Sequence, residues 1–147
     1  IRPLIEGAAY LFANEYESAL IEQKTGWSAA DIAGVVETRV TTLGPMGARI
    51  ERRGEPPVTV CVAEEDRKAD PTGVGDAFRA GFLAGQEWGV GDERSAQVGA
   101  LLATYVIETI GTQEYELARS HFLERMARTY GDDAAAEVEP HVLCPRP

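Results

Sequence analysis

The sequence is poor in the residues that build disulfide scaffolds and zinc sites. Its 147 residues include two cysteines, Cys61 and Cys144, and two histidines, His121 and His141. Two cysteines so far apart do not form a disulfide framework, and neither histidine stands beside them at zinc-ligand spacing. The sequence indicates no partner for either histidine. A disulfide-rich module and a structural zinc domain are therefore excluded.

Positive charge and long apolar runs are also scarce. Lysine and arginine number 14 against 24 aspartates and glutamates, which gives a net charge of -10. Such a surface repels phosphates, so we expect neither a nucleic-acid partner nor an anionic membrane, and an anionic ligand would need a local site. No apolar run approaches the roughly 20 residues that span a bilayer, and no signal peptide is recognisable. A cytoplasmic protein is the simplest expectation.

An initiator methionine is missing as well. The chain begins at Ile1, and we expect it to be a piece of a longer protein. Its composition, 44% hydrophobic and 26% charged, is that of a globular chain. A length of 147 residues is enough to bury the core of one domain.

The order of hydrophobic patterns predicts an α/β fold. Strand-like runs lie at 8–13, 38–43, 48–52 and 58–62, and helix-like segments at 15–24, 28–34, 73–88, 91–110 and 114–130. Strands alternating with helices, followed by helices alone, are typical of a layered α/β architecture. The charged residues between Glu114 and Arg128 are expected on a solvated helix face. Residues 1–130 are predicted to form one structural portion, and 131–147 a loosely held tail.

One stretch carries most of the chemistry, the segment Asp-Pro-Thr-Gly-Val-Gly-Asp over residues 70–76. It reads as a glycine turn that leads into a helix, with Thr72 predicted to cap the helix through its hydroxyl. Gly73 and Gly75 lack the Cβ atoms that would crowd a ligand, and helix N-terminal N–H groups bind anions. Asp76 places an acid beside that anion site. This combination suggests phosphoryl transfer.

Two other phosphate-binding motifs do not fit this stretch. A dinucleotide-binding fingerprint needs a third glycine where Phe78 stands. A P-loop needs Gly-Lys followed by Ser or Thr, which is absent. Alternatively, the stretch binds no ligand and is only a glycine turn. Asp76 would then stabilise a helix N-terminus, an effect of roughly 0.3–1 kcal/mol.

The stretch 70–76, with Arg-Ala-Gly-Phe-Leu-Ala-Gly over 79–85, resembles the C-terminal signature of the ribokinase/PfkB family of carbohydrate and nucleoside kinases. The form of the signature is most similar to the bacterial adenosine kinase-like branch. The resemblance implies a ribokinase-like layered αβα fold, of which this chain spans the C-terminal portion, without the N-terminal strands and lid. It also implies that Asp76 is the catalytic base and that the amides of Gly73, Val74 and Gly75 hold the transferring phosphate.

The same resemblance gives a role to Asn14 and Glu17. In the family, an Asn-x-x-Glu segment at this place organises Mg²⁺ through water near the phosphates, and oxygen ligands suit that cation. The alternative is an ordinary helix start, with Asn14 as the cap and Glu17 as the acid of its third position.

Further ligand contacts are implied by the resemblance alone. Its Thr-Leu-Gly-x-x-Gly segment makes Thr42, Gly44 and Gly47 candidates for contact with ATP, whereas their spacing alone indicates a hairpin turn. Gly111 is a nucleotide candidate beside Thr112, which could instead begin a capping box. Thr72 is also a candidate for contact with the nucleotide at the glycine turn. Together with Asp70, it is a candidate site for a monovalent cation such as K⁺.

These residues predict an ATP-dependent kinase that transfers the γ-phosphate to a hydroxymethyl group of a sugar or nucleoside, with adenosine preferred. Another PfkB-type sugar kinase and a truncated, non-catalytic nucleotide-binding or interaction module are the alternatives. The family's acceptor-binding half is missing, so we expect the isolated chain to be inactive and the sheet edge at 8–13 to need cover. Whether the protein is a homo-oligomer stays open.

Overall fold

The computed structural model describes residues 1–142. The chain divides into two compact units, Ile1–Val60 and Cys61–Pro147. Each unit has its own buried cluster, centred on Ile32 in the first and on Leu101 in the second.

The first unit is built on a four-stranded sheet. Its strands are β1 (Tyr10–Asn14), β2 (Thr38–Thr42), β3 (Ala48–Arg52) and β4 (Val58–Val60), in spatial order β1-β2-β3-β4. The β1–β2 pair is parallel, whereas β2–β3 and β3–β4 are antiparallel. All four predicted strands are present, although the first begins at Tyr10 rather than residue 8.

Three helices accompany this sheet: α1 (Arg2–Ile5), α2 (Glu15–Thr25) and α3 (Ala29–Val35). A parallel pair needs a crossover connection, and α2 and α3 supply it between β1 and β2. Each crossover helix begins with a capping box, in which side chain and backbone satisfy each other's N–H groups. These local signals explain why the sequence predicts both helix starts correctly.

The second unit is helical. It contains α4 (Val74–Trp88), α5 (Gly91–Ile107), α6 (Arg119–Tyr130) and α7 (Asp132–Val138). Small residues let α4 and α5 approach closely, since a Cβ atom added at Gly81 would lie 2.7 Å from the Cα atom of Gly99. Leu101, Phe122 and Met126 are buried in the core of this unit.

Two helix predictions in this unit need correction. The helix expected from Glu114 begins only at Arg119, because Ala118 is extended, with φ -80° and ψ 126°, and Tyr115 packs against the core from a non-helical segment. Residues 132–138, expected in a loosely held tail, form α7 because Ala134 and Val138 are buried in the core. Cys144 and the rest of 143–147 lie outside the described residues.

No helix within residues 1–142 combines the length and the apolar character that crossing a bilayer requires.

Candidate active site

The glycine turn of residues 70–76 leads into α4, as the sequence predicts, but Thr72 does not cap the helix. The residue that flanks the helix is Gly73, whose left-handed backbone has φ 85° and ψ -4°, and no side chain caps this end. Thr72 lies one residue too early to cap. Its N–H instead donates a hydrogen bond to Oδ1 of Asp70 at 2.9 Å.

The start of α4 presents backbone donors. The first helical hydrogen bond there runs from the N–H of Ala77 to the carbonyl of Gly73 at 2.9 Å. Before it, the Val74 N–H donates to the carbonyl of Pro71 at 3.4 Å, and the N–H groups of Gly75 and Asp76 have no partner within the helix. With the positive end of the helix dipole, these groups can bind an anion.

The two glycines of the turn have different surroundings. A Cβ atom at Gly73 would lie 2.9 Å from Cγ2 of Thr112, so glycine is required there by the fold as well as by its backbone conformation. A Cβ atom at Gly75 would meet no heavy atom of the described residues within 4 Å. The space above Gly75 is therefore open to a ligand.

Asp76 lies in the first turn of α4 with its carboxylate in solvent. Its side chain is 83% exposed, and its Oδ1 atom is 3.2 Å from Nη1 of Arg79. Arg79 stands three residues later on the same helix face and orients the carboxylate. An accessible carboxylate beside the helix N-terminal amides can accept a proton from a group that attacks a bound phosphate.

Asp70 connects two segments of the second unit, its own turn and the loop that contains Gly111. The hydroxyl of Thr72, then the N–H groups of Thr72 and Gly111, hydrogen-bond its carboxylate and lower its pKa from the ordinary value. Gly111 follows α5 in a loop with φ 96°. The predicted site residues Asp70, Thr72, Gly73 and Gly111 are thus brought close together in this unit.

Asn14 and Thr42 stand together in the first unit. They are direct partners in the parallel register, each the last residue of its strand, β1 and β2. Ligands of open α/β sheets bind at the carboxyl ends of the strands. The position of both residues therefore agrees with a ligand-facing edge.

Asn14 and Glu17 form the capping box of α2. The Asn14 N–H donates to Oε2 of Glu17 at 2.9 Å, and the Glu17 N–H donates to Oδ1 of Asn14 at 2.7 Å. Each oxygen keeps a further lone pair, so the pair can still accept hydrogen bonds from the water shell of a cation. The described residues contain no group of three acidic, histidine or cysteine side chains that could hold a metal directly. The donor set fits Mg²⁺ bound through water.

Gly44 and Gly47 form the turn between β2 and β3. The turn is a short 3-10 helix, Gly44–Met46, closed by a hydrogen bond from the Leu43 N–H to the Gly47 carbonyl at 2.8 Å. Both glycines have positive φ, 56° and 96°. A hairpin turn alone explains these glycines, and their contact with a nucleotide stays a prediction.

Two residues of the second unit were missed by the sequence analysis. Arg125, expected on a solvated helix face, is only 2% exposed and binds both carboxylate oxygens of Glu108. The Glu108 carboxylate also accepts a hydrogen bond from the Asp66 N–H at 2.7 Å. This bond holds the segment that precedes residues 70–76. Partners 17 and 42 positions apart leave no local sequence signal.

The histidines, for which the sequence indicated no partner, both have one. Nδ1 of His121 is 2.9 Å from the hydroxyl of Tyr105. His141 stacks on Trp88 with ring centroids 5.3 Å apart. Both are accounted for by packing.

Comparison with known proteins decides the family. The pfkB family of carbohydrate kinases matches residues 1–118. The chain belongs to this family. The match includes Asp70–Asp76 and the two segments around Asn14 and Thr42. The predicted family is confirmed.

Relatives of this pfkB-family chain include nucleoside kinases. It is 30% identical over 110 residues to a nucleoside kinase of Methanocaldococcus jannaschii, covering 75% of this chain and 36% of that protein. The structure of Burkholderia thailandensis nucleoside kinase in complex with inosine is 33% identical, with a TM-score of 0.80 over 88% of this chain and 45% of that one. Adenosine kinase from Sinorhizobium meliloti is 30% identical, with a TM-score of 0.61 over 70% of this chain and 32% of that one.

These likenesses confirm the predicted fold class, since the neighbours include an archaeal member of the ribokinase family at a TM-score of 0.75. The pfkB-family chain spans less than half the length of the relatives it matches. It therefore has the fold of one part of a ribokinase-like domain.

Proposed function

We propose that this pfkB-family chain is the ATP-handling part of a kinase that phosphorylates a hydroxymethyl group of a nucleoside, with adenosine preferred. One observation carries the proposal: the exposed Asp76 carboxylate stands in the first turn of α4, among backbone N–H groups that have no partner in the helix. The relative from B. thailandensis has been solved with inosine and with ADP and inosine, which supports a nucleoside acceptor.

The reaction is an in-line displacement at the γ-phosphorus of ATP. The acceptor oxygen forms a bond to phosphorus while the bond to the β–γ bridging oxygen breaks, and ADP leaves. Asp76 takes the acceptor's hydroxyl proton and later releases it to solvent. The amides of Gly73, Val74 and Gly75 donate to the phosphoryl oxygens, where positioning and charge stabilisation provide most of the catalysis.

Cations would be held by the side chains that fit them. Asn14 and Glu17 would orient the water shell of Mg²⁺, which neutralises phosphate charge when bound. Asp70 and Thr72 would hold a monovalent cation such as K⁺, for which the low pKa of Asp70 keeps a carboxylate available. Thr42, Gly44, Gly47 and Gly111 would contact the nucleotide.

Asp76→Asn in the longest natural form of the protein tests the proposal. The asparagine keeps the shape of the side chain but cannot accept the proton, so we expect kcat to fall about 100-fold or more with ATP binding retained. Asp133→Asn, which removes an acid from the first turn of α7, is the matched control and should leave kcat unchanged. Near-normal turnover in a properly folded Asp76→Asn variant would refute the role of Asp76.

The acceptor is settled by a panel of adenosine, inosine, ribose, fructose and fructose phosphates. Highest kcat/KM for adenosine supports the preferred substrate, whereas a preference for fructose or ribose supports another pfkB-type sugar kinase. Nucleotide binding without any turnover would favour a non-catalytic module. We expect the isolated 147 residues to bind ATP weakly and to show no turnover.

A further inference from the structure

The thirteen residues before α4, numbers 61–73, form neither helix nor strand. They end at the turn that carries Asp70 and leads to Asp76. A segment without its own hydrogen-bond ladder takes its position from the groups that bind it. The residues that bind it therefore set where the phosphate-binding turn lies.

Most of the hydrogen bonds that hold this segment converge on the C-terminal end of α5. The N–H groups of Ala69 and Asp70 donate to the carbonyl of Ile107 at 2.7 and 3.2 Å. Nε of Arg67 donates to the carbonyl of Glu108 at 2.8 Å. The Asp66 N–H donates to Oε1 of Glu108 at 2.7 Å. Glu108 thus binds the segment through both its backbone and its side chain.

Arg125 of α6 completes this arrangement. Its Nη1 and Nη2 atoms lie 2.7 and 2.8 Å from the two carboxylate oxygens of Glu108. Nη2 also donates to the carbonyl of Glu64 at 2.9 Å, and the guanidinium lies 5.0 Å from the ring centroid of Tyr105. A planar guanidinium that binds three acceptors holds both Glu108 and the segment in one orientation.

We propose that Glu108 and Arg125 are positioning residues for phosphoryl transfer: as a bidentate pair of a buried arginine and a partly buried glutamate, they hold residues 64–70 against the end of α5 and so place Asp76 and the amides of the turn. The inference rests on the proposed function. Neither side chain touches the reacting atoms. Their effect is transmitted through the segment, where a misplacement of about 1 Å can cost 100-fold in rate.

The pair is tested in the longest natural form of the protein with Arg125→Met, Glu108→Gln and the double variant. Each single substitution leaves the remaining charged side chain without its ion-pair partner, which lowers stability by itself. The double variant removes both charges, so it is expected to recover folding while Glu64 still lacks its donor. It separates positioning from stability.

We expect the double variant to lose about 10- to 100-fold in kcat, with KM for ATP changed less than about 3-fold. Amide hydrogen exchange of residues 64–73 should become faster, with α4 and α5 unchanged. Glu137→Gln removes the more exposed ion pair between Arg94 and Glu137, 2.8 Å apart, and is the matched control. This control should change neither kcat nor the amide hydrogen exchange of the segment.

A double variant with normal kcat overturns the inference, whether or not exchange of the segment changes. A lower kcat with unchanged exchange also overturns it, because the effect would not pass through the segment. A wild-type protein without phosphotransfer would overturn the proposed function and the catalytic part of this inference. In that case, amide hydrogen exchange would still show whether Glu108 and Arg125 hold the segment in place.

Discussion

Gly81 of α4 and Gly99 of α5 touch backbone to backbone. A Cβ atom added at Gly81 would lie 2.7 Å from the Cα atom of Gly99, and one added at Gly99 would lie 2.6 Å from the carbonyl oxygen of Phe78. Backbone cannot move aside as a flexible side chain can. The crossing of these two helices therefore depends on glycine at both positions, and α4 carries Asp76 at its start.

Gly81→Ala should destabilise the protein. The added methyl group would force α4 and α5 apart, and overpacking of this kind costs about 1–3 kcal/mol. Urea denaturation followed by circular dichroism measures the loss. Gly34→Ala is the matched control, because a Cβ atom there meets no described heavy atom within 4 Å. Equal stability of Gly81→Ala and wild type would mean that the helices separate at no cost.

Gly75→Ala should separate folding from ligand binding. The Cβ atom would enter open space inside a helix, so stability should stay the same or rise by about 0.5–1 kcal/mol from the better helix propensity of alanine. If the phosphate occupies that space, KM for ATP should rise at least about 10-fold or kcat should fall by a similar factor. Thermal unfolding and steady-state kinetics on the same preparation provide both measurements.

Gly73→Ala is the comparison for that experiment. Gly73 has φ 85° and its Cβ atom would meet Thr112, so alanine there should lower stability as well as turnover. If the Gly75→Ala variant keeps the wild-type kcat and KM for ATP, the missing side chain of Gly75 does not make room for a ligand.

Stability should fall at acidic pH through Glu108. Burial favours its neutral form, but the hydrogen bonds from Arg125 and from the Asp66 N–H outweigh burial and hold the pKa of Glu108 below its ordinary value. A lowered pKa stabilises the fold above the ordinary value, near 4.5, and this contribution is lost as the pH falls through the folded-state pKa. Urea midpoints between pH 7 and pH 3 measure it. In Glu108→Gln, the decline below about pH 4.5 should be shallower.

The features that the sequence predicted well have local causes. Asn14 with Glu17, and Ser28 with Asp31, lie three residues apart, so their capping boxes can be recognised without knowing the fold. The glycine turn before α4 is likewise contained in seven consecutive residues. Strands and helix starts therefore agree with the prediction within one or two residues in the first unit.

The features that the sequence missed depend on distant partners. Arg125 lies in a charge pattern typical of a solvated helix face, yet its side chain is buried. Its partners Glu108 and Glu64 are 17 and 61 positions away in the sequence. α7 has the alanine-rich and acidic composition of a loose tail, but the core of the second unit covers Ala134 and Val138. Tertiary burial overrides local composition in both places.

Glu17→Gln should separate helix capping from cation binding. Glutamine at the third helical position still accepts the Asn14 N–H, as a capping box allows, so stability should change by less than about 0.5 kcal/mol. The lost charge, however, weakens the attraction for hydrated Mg²⁺, and the Mg²⁺ concentration for half-maximal turnover should rise about 10-fold. Titration of activity with Mg²⁺ at fixed ATP measures this shift. Glu15→Gln removes the other acid of the same turn and serves as the control. A Glu17→Gln variant with the wild-type Mg²⁺ requirement would reduce Glu17 to a helix cap.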